Sequence, residues 1–160
     1  MAPAEVMEGD ARALSLEDSS IDGIIFSPPY SFAIDYLAND SFHLNFMGID
    51  SDALRARMIG LRGRNLAEKY LCYREDMGMV LSECARVLRP GRFCTIIVGT
   101  NSNQLGKVLG VSPDEVKGLH EILIAMGASD GLKPVKVMSR PIIGISNTMR
   151  REYILLLQKQ

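Results

Sequence analysis

Ile21-Asp22-Gly23-Ile24-Ile25-Phe26-Ser27-Pro28-Pro29-Tyr30 is the stretch on which the fold turns. A short apolar run bounded by turn residues predicts a strand buried on both faces of a parallel sheet. It stops at Pro28 and Pro29, neither of which can donate to a strand ladder. Downstream, Met77, Val80, Leu81, Cys84, Val87 and Leu88 recur at helical steps, which predicts a helix from Asp76 onward with one apolar face. Arg89-Pro90-Gly91 stops that helix. Phe93 to Val98 then predicts a second buried strand, with Gly99-Thr100-Asn101 at its carboxyl end.

Further out, Ser112-Pro113-Asp114-Glu115 has the form of a helix start, a capping serine with proline in the first turn and a glutamate closing the box. Val116, Leu119, Ile122, Leu123 and Met126 form its apolar face, and Gly127 ends it. Strands are expected near residues 134–139 and 152–158. Upstream, residues 5–21 read as a strand end followed by a loop or short helix. Residues 31–75 mix aromatics with glycines and arginines and read as a cap of short helices and loops. Alternating strands and helices imply an α/β domain with a mainly parallel sheet, residues 1–160 forming one unit with the cap as an insertion.

The bulk properties bound the partners. A chain of 160 residues with 47% hydrophobic and 23% charged residues has the composition of one globular domain. A net charge of -1 supplies no global field toward a phosphate backbone, so a nucleic-acid partner has to rest on local features. The basic stretch Arg55, Arg57, Arg62, Arg64, Lys69, Arg74 reads equally well as a solvated surface and as a phosphate-facing patch. Cys72, Cys84 and Cys94 fit no zinc spacing, so reduced structural thiols and no metal site are expected. The sequence shows neither a membrane-spanning run nor a signal peptide, and a cytoplasmic location is expected.

In an open α/β sheet ligands bind beyond the carboxyl ends of the strands, which is where Ser27-Pro28-Pro29-Tyr30 falls. Two prolines stiffen the loop, so a hydroxyl and a carbonyl there are aimed at little ordering cost. An exocyclic base amine is a poor nucleophile because its lone pair is delocalised, and both amine hydrogens must be held as the nitrogen pyramidalises. The Ser27 hydroxyl and the Pro28 carbonyl supply two acceptors, and the Tyr30 ring supplies a stacking face for a base turned out of its duplex. Asp35 and Tyr36 are candidates for the base pocket or for ordinary loop polarity, and Asn101 for the pocket or a turn. His43 and His120 read as packing or surface residues.

The run from Asp22 to Tyr30 resembles the catalytic motif of the S-adenosylmethionine-dependent amino-methyltransferases of DNA and RNA, in its Ser form most like the cytosine-N4 branch. Gly9-Asp10-Ala11 resembles the family's acidic turn, and the Arg-Val-Leu-Arg-Pro-Gly segment with its following strand and the closing apolar strand are also similar. The resemblance implies a Rossmann-like methyltransferase sheet and S-adenosylmethionine as cofactor, held in part by Asp10, Ala11 and Ser27. It makes Ser27, Pro28, Pro29 and Tyr30 catalytic, with Tyr30, Asp35, Tyr36 and Asn101 toward the substrate. The implied substrate is DNA cytosine-N4 or adenine-N6. An RNA base N-methyltransferase and a non-catalytic module of the same fold are the alternatives.

One family feature has no counterpart in this sequence: a glycine-rich turn after an apolar strand, where the methionine portion of the cofactor would lie close to the backbone. The chain therefore reads as the C-terminal half of the fold. Strand 22–26 is then expected to present an open apolar edge, explained foremost by truncation of a longer protein or a fragment gene, and alternatively by a homodimer partner or a separately supplied N-terminal half that covers it.

Overall fold

The computed structural model describes residues 4–30, 35–142 and 151–160. Its elements in chain order are β1 (Ile21–Phe26), α1 (Tyr36–Asn39), α2 (Ser41–Phe46), α3 (Ser51–Arg57), α4 (Leu66–Val87), β2 (Leu88–Gly99), α5 (Ser102–Leu109), α6 (Leu119–Ser129), β3 (Leu132–Pro141) and β4 (Arg151–Lys159). None of the helices among the described residues is long and apolar enough to cross a membrane.

The four strands form one sheet in the order β1-β2-β4-β3. β1 and β2 pair in parallel, with Ile24 opposite Cys94 and Phe26 opposite Ile96. β4 runs against both its neighbours, β2 and β3. β1, β2 and β3 thus share a direction, but the reversed β4 is inserted between β2 and β3. This corrects the expectation of a mainly parallel sheet: two of the three pairings are antiparallel. Apolar run length, the signal read from sequence, carries no information on strand direction.

The core lies on one face of that sheet. Cys94, Ile96 and Val98 of β2 and Leu155 and Leu157 of β4 meet Tyr73, Met77, Val80, Leu81 and Cys84 of α4, Leu105 of α5, and Leu119 and Leu123 of α6. Alternate residues point the other way, and there Ile25 is 77% exposed and Phe93 40%. The expectation that β1 is buried on both faces is therefore corrected. β1 is the outer strand of the sheet, and Asp22 at its lower end is held by Arg89 (2.8 Å) and Arg92 (3.3 Å). Cys72, Cys84 and Cys94 are free thiols, the last two buried.

Helix boundaries shift for identifiable reasons. α4 begins ten residues before the expected Asp76, because Asn65 caps it by accepting from the Glu68 amide (2.9 Å) while Glu68 accepts from the Arg64 amide (3.0 Å). Tyr70 and Tyr73 extend its buried face upward, so the cap shrinks to α1–α3 and the loop after them, with its own small core of Leu37, Leu44 and Leu61. α5 was not anticipated; Asn101 caps its start and Gly110, at φ 70, closes it. The box at Ser112–Glu115 closes only a turn, with the Glu115 amide donating to the Ser112 carbonyl (2.9 Å). α6 starts seven residues after Ser112, behind an extended Gly118. A Cβ on Gly118 would come within 2.5 Å of the His120 ring, so a substitution there would have to displace that ring.

Candidate functional site

The register puts the pieces of the site on one rim. Because β1 is parallel to β2 and ends opposite Ile96, Ser27 follows beside Ile97. Gly99 faces Glu152 at the start of β4, and Glu152 faces Arg140 near the end of β3. The tetrad, Gly99-Thr100-Asn101, Arg140 and Arg151-Glu152 therefore gather at the carboxyl ends of β1, β2 and β3.

Within the tetrad each group has a distinct setting. Ser27 is exposed and its hydroxyl donates to the Ile97 carbonyl at 3.0 Å. That donation uses its only proton and leaves the oxygen lone pairs as acceptors. Pro28 is buried and Pro29 half-buried, so the elbow is packed as well as ring-stiffened. The Tyr30 ring is half-buried against the main core. Its amide donates to the Tyr36 hydroxyl (3.3 Å) and its own hydroxyl donates to Glu152. Burial raises the phenol's pKa above its ordinary value, and the carboxylate beside it adds to the rise.

Glu152 is 7% exposed and also accepts from the Arg140 guanidinium, at 2.6 Å from Nε. The Tyr30 hydroxyl, and secondarily Arg140, hold its carboxyl below the usual range despite burial. Sequence reasoning passed over both residues. The available signal was an acidic side chain at the head of an otherwise apolar strand, a combination rarely buried without partners.

Asp10 sits in a tight turn closed by the Ala13 amide donating to its carbonyl (3.0 Å). Its carboxylate, half exposed, accepts from the Arg12 backbone amide at 2.9 Å and from the Arg12 guanidinium, with 2.7 Å as the shortest contact. Those bonds lower its pKa to about 2, so it is an ionised acceptor at neutral pH. Arg12 also donates to the fully buried Asp76 of α4 (2.8 Å), which Arg62 grips from the other side (2.8 Å). From this anchor residues 10–20 descend along α4, Leu14 reaching Glu83 and Ser20 reaching Val87, before β1 climbs back. Asp10 and the tetrad thus both lie toward the rim. Ala11 is exposed beside Asp10.

The remaining candidates have partners of their own. Asp35 caps α1 at the Ala38 amide (3.1 Å) and pairs with Arg55 (2.9 Å), which holds its carboxyl below the usual range. Tyr36 is tied to the tetrad through the Tyr30 amide. Asn101 is buried and caps α5 by accepting from the Gln104 amide (3.1 Å). Of the basic stretch, Arg55, Arg62 and Arg64 are matched by Asp35, Asp76 and Glu68, which neutralises much of that surface. Arg74 lies over the Tyr70 ring, 5.8 Å from its centre.

A separate cleft of about 320 Å³ opens at the same rim and is lined by Thr100, Ser102, Asn103, Asp114, His120, Glu121, Arg151 and Tyr153, without the tetrad. His120 stacks on Tyr153 with ring centres 3.5 Å apart, and burial lowers its pKa.

The sequence matches no protein-family model and no curated protein. The fold does have solved counterparts. A proposed DNA modification methylase from Thermus thermophilus superposes with a TM-score of 0.51 at 18% identity, over 94% of this chain and 50% of that one. The same protein was also solved with S-adenosyl-L-methionine, and there the TM-score is 0.50 over 51% of its chain. A SAM-dependent methyltransferase from Methanosarcina mazei gives 0.51 at 11% identity, over 94% and 65%. This chain has the Rossmann-like α/β fold of methyltransferases, and it spans about half the length of the Thermus protein.

Proposed function

We propose that this chain carries the base-holding half of an S-adenosylmethionine-dependent methyltransferase site acting on the exocyclic amine of a nucleic-acid base, foremost cytosine-N4 in DNA. The observation that carries the reading is the Ser27 hydroxyl donating to the Ile97 carbonyl at the sheet's rim, which leaves its lone pairs as acceptors beside the Pro28 carbonyl and the Tyr30 ring. One amine hydrogen is held by Ser27 Oγ and the other by the Pro28 carbonyl, while Tyr30 stacks on the base. Neither acceptor is basic enough to take the proton first, so the residues position and stabilise, and the proton leaves after transfer.

S-adenosylmethionine, when bound, supplies the methyl group. The chain's residues fit part of that cofactor: Asp10 offers an ionised, half-exposed carboxylate able to accept from an adenine amine, with Ala11 adding no bulk. The glycine-rich cradle for the methionine portion is supplied from outside these 160 residues, by a segment beside the open edge of β1.

The test is transfer of labelled methyl from cofactor to DNA, by the chain alone and with a complementing half added. Ser27→Ala is expected to lower the rate about 100-fold and Tyr30→Ala to weaken base binding by about 1–3 kcal/mol, both variants remaining folded. Full activity in both would reject the assignment. Competition by structured RNA would move the substrate to RNA, and adenine labelling would move it to adenine-N6.

A second reading is favoured by the missing glycine-rich turn: a module of this fold that binds without turning over. Calorimetry with S-adenosylmethionine separates the two, since no heat with a complementing half present supports the module.

A further inference from the structure

We propose that Glu152, backed by Arg140, is a positioning residue that fixes the Tyr30 ring as the platform of the site. The inference rests on the reading of Tyr30 as the stacking residue. Tyr30 leaves the end of β1, yet its hydroxyl bonds a residue 122 positions away on β4, two strands over in the sheet. The residue opposite Glu152 on the intervening β2 is Gly99, which has no side chain to stand in the way. The ring therefore reaches across the end of β2 and is held at its far end.

A buried carboxylate is costly unless its oxygens are matched, and here the matching groups divide cleanly. Glu152 Oε1 accepts from Tyr30 and Oε2 from Arg140, whose guanidinium lies mostly in solvent. With its amide donating to Tyr36, Tyr30 is fixed at both ends. The phenol oxygen is occupied, so what the site offers is the ring's face in a set orientation. Fixing that orientation beforehand removes an ordering cost from binding.

The test uses the full chain labelled with 13Cζ-tyrosine, and a duplex carrying a mismatched 2-aminopurine as probe. Glu152→Ala and Tyr30→Phe are each expected to weaken probe binding by about tenfold, the double variant being no weaker than the poorer single one. Glu152→Gln, which keeps an acceptor for the hydroxyl, recovers most of the loss and leaves the thermal midpoint close to that of the parent. The Tyr30 Cζ line moves in Glu152→Ala and stays near its original position in Glu152→Gln. An unmoved Cζ line in Glu152→Ala, or losses that multiply in the double variant, overturns the proposal. If the Cζ line moves as expected but Tyr30→Ala binds the probe as tightly as the parent, the anchor stands and the nucleobase reading falls.

Discussion

The two faces of the sheet are built from alternate residues of the same strands, yet one is sealed and the other open. On β2, Cys94, Ile96 and Val98 are fully buried under α4 and α6, while Phe93, next to Cys94, is 40% exposed. On β1, Ile24 packs against the core and Ile25, its neighbour, is 77% exposed. Apolar character is thus continuous along these strands, but it is buried on the helix-covered face, whereas on the other Ile97, Ile154 and Leu156 are half-buried and Ile25 and Phe93 exposed. The contrast locates stability on one side and leaves exposed apolar side chains on the other.

Five substitutions would break or sharpen that contrast. The largest effect is expected at Asp76, fully buried on α4 and gripped by Arg12 and Arg62: Asp76→Ala leaves two guanidiniums facing a void and should cost about 3–5 kcal/mol in urea unfolding. Leu81→Ala removes a fully buried side chain from the sealed face, at a cost of about 2–5 kcal/mol, whereas Ile25→Ala on the open face should stay within about 0.5 kcal/mol. Equal losses at these two positions would show that the open face is covered in solution. Asn101→Ala removes the cap of α5 and should cost about 1 kcal/mol. Smallest is the effect at Asp10, whose pKa is lowered from 3.8 to about 2. A depressed carboxylate contributes stability that is present above its unfolded value and lost as pH falls through the folded one. Asp10→Asn should therefore flatten the thermal-midpoint curve between pH 4 and 2 and leave it unchanged in shape at neutral pH. The same slope in parent and variant would show that the Arg12 contact is not kept in solution.

What was legible in the sequence was local. All four strands fall within a few residues of where apolar runs bounded by turn residues put them, apart from the amino-terminal extension of β2 through Arg89-Pro90-Gly91, where Gly91 adopts φ 76. The position of the tetrad at a strand's carboxyl end followed from the prolines. The first ten residues of α4 were hidden because Tyr70 and Tyr73 sit among arginines and read as loop aromatics, although they continue the helical spacing of Met77 and Val80. The capping box at Ser112 misled because its local hydrogen bond is satisfied by a single turn, and α6 starts only after the extended Gly118. Strand reversal depends on β4 pairing with β2, from Gly99 with Glu152 to Phe93 with Gln158, and the meeting of Tyr30 with Glu152 spans 122 residues; a single sequence carries no local mark of either.

The Asp22 clasp gives the open edge of β1 a sense of direction. Arg89 and Arg92 tether a charged, hydrated group at its lower end, while Ile25 stands bare near the upper end. A strand laid alongside would make its first favourable contacts near Ile25 and meet a desolvation barrier at Asp22. Pairing along this edge would thus run like a zipper with one working end, starting from the rim where Ser27 lies.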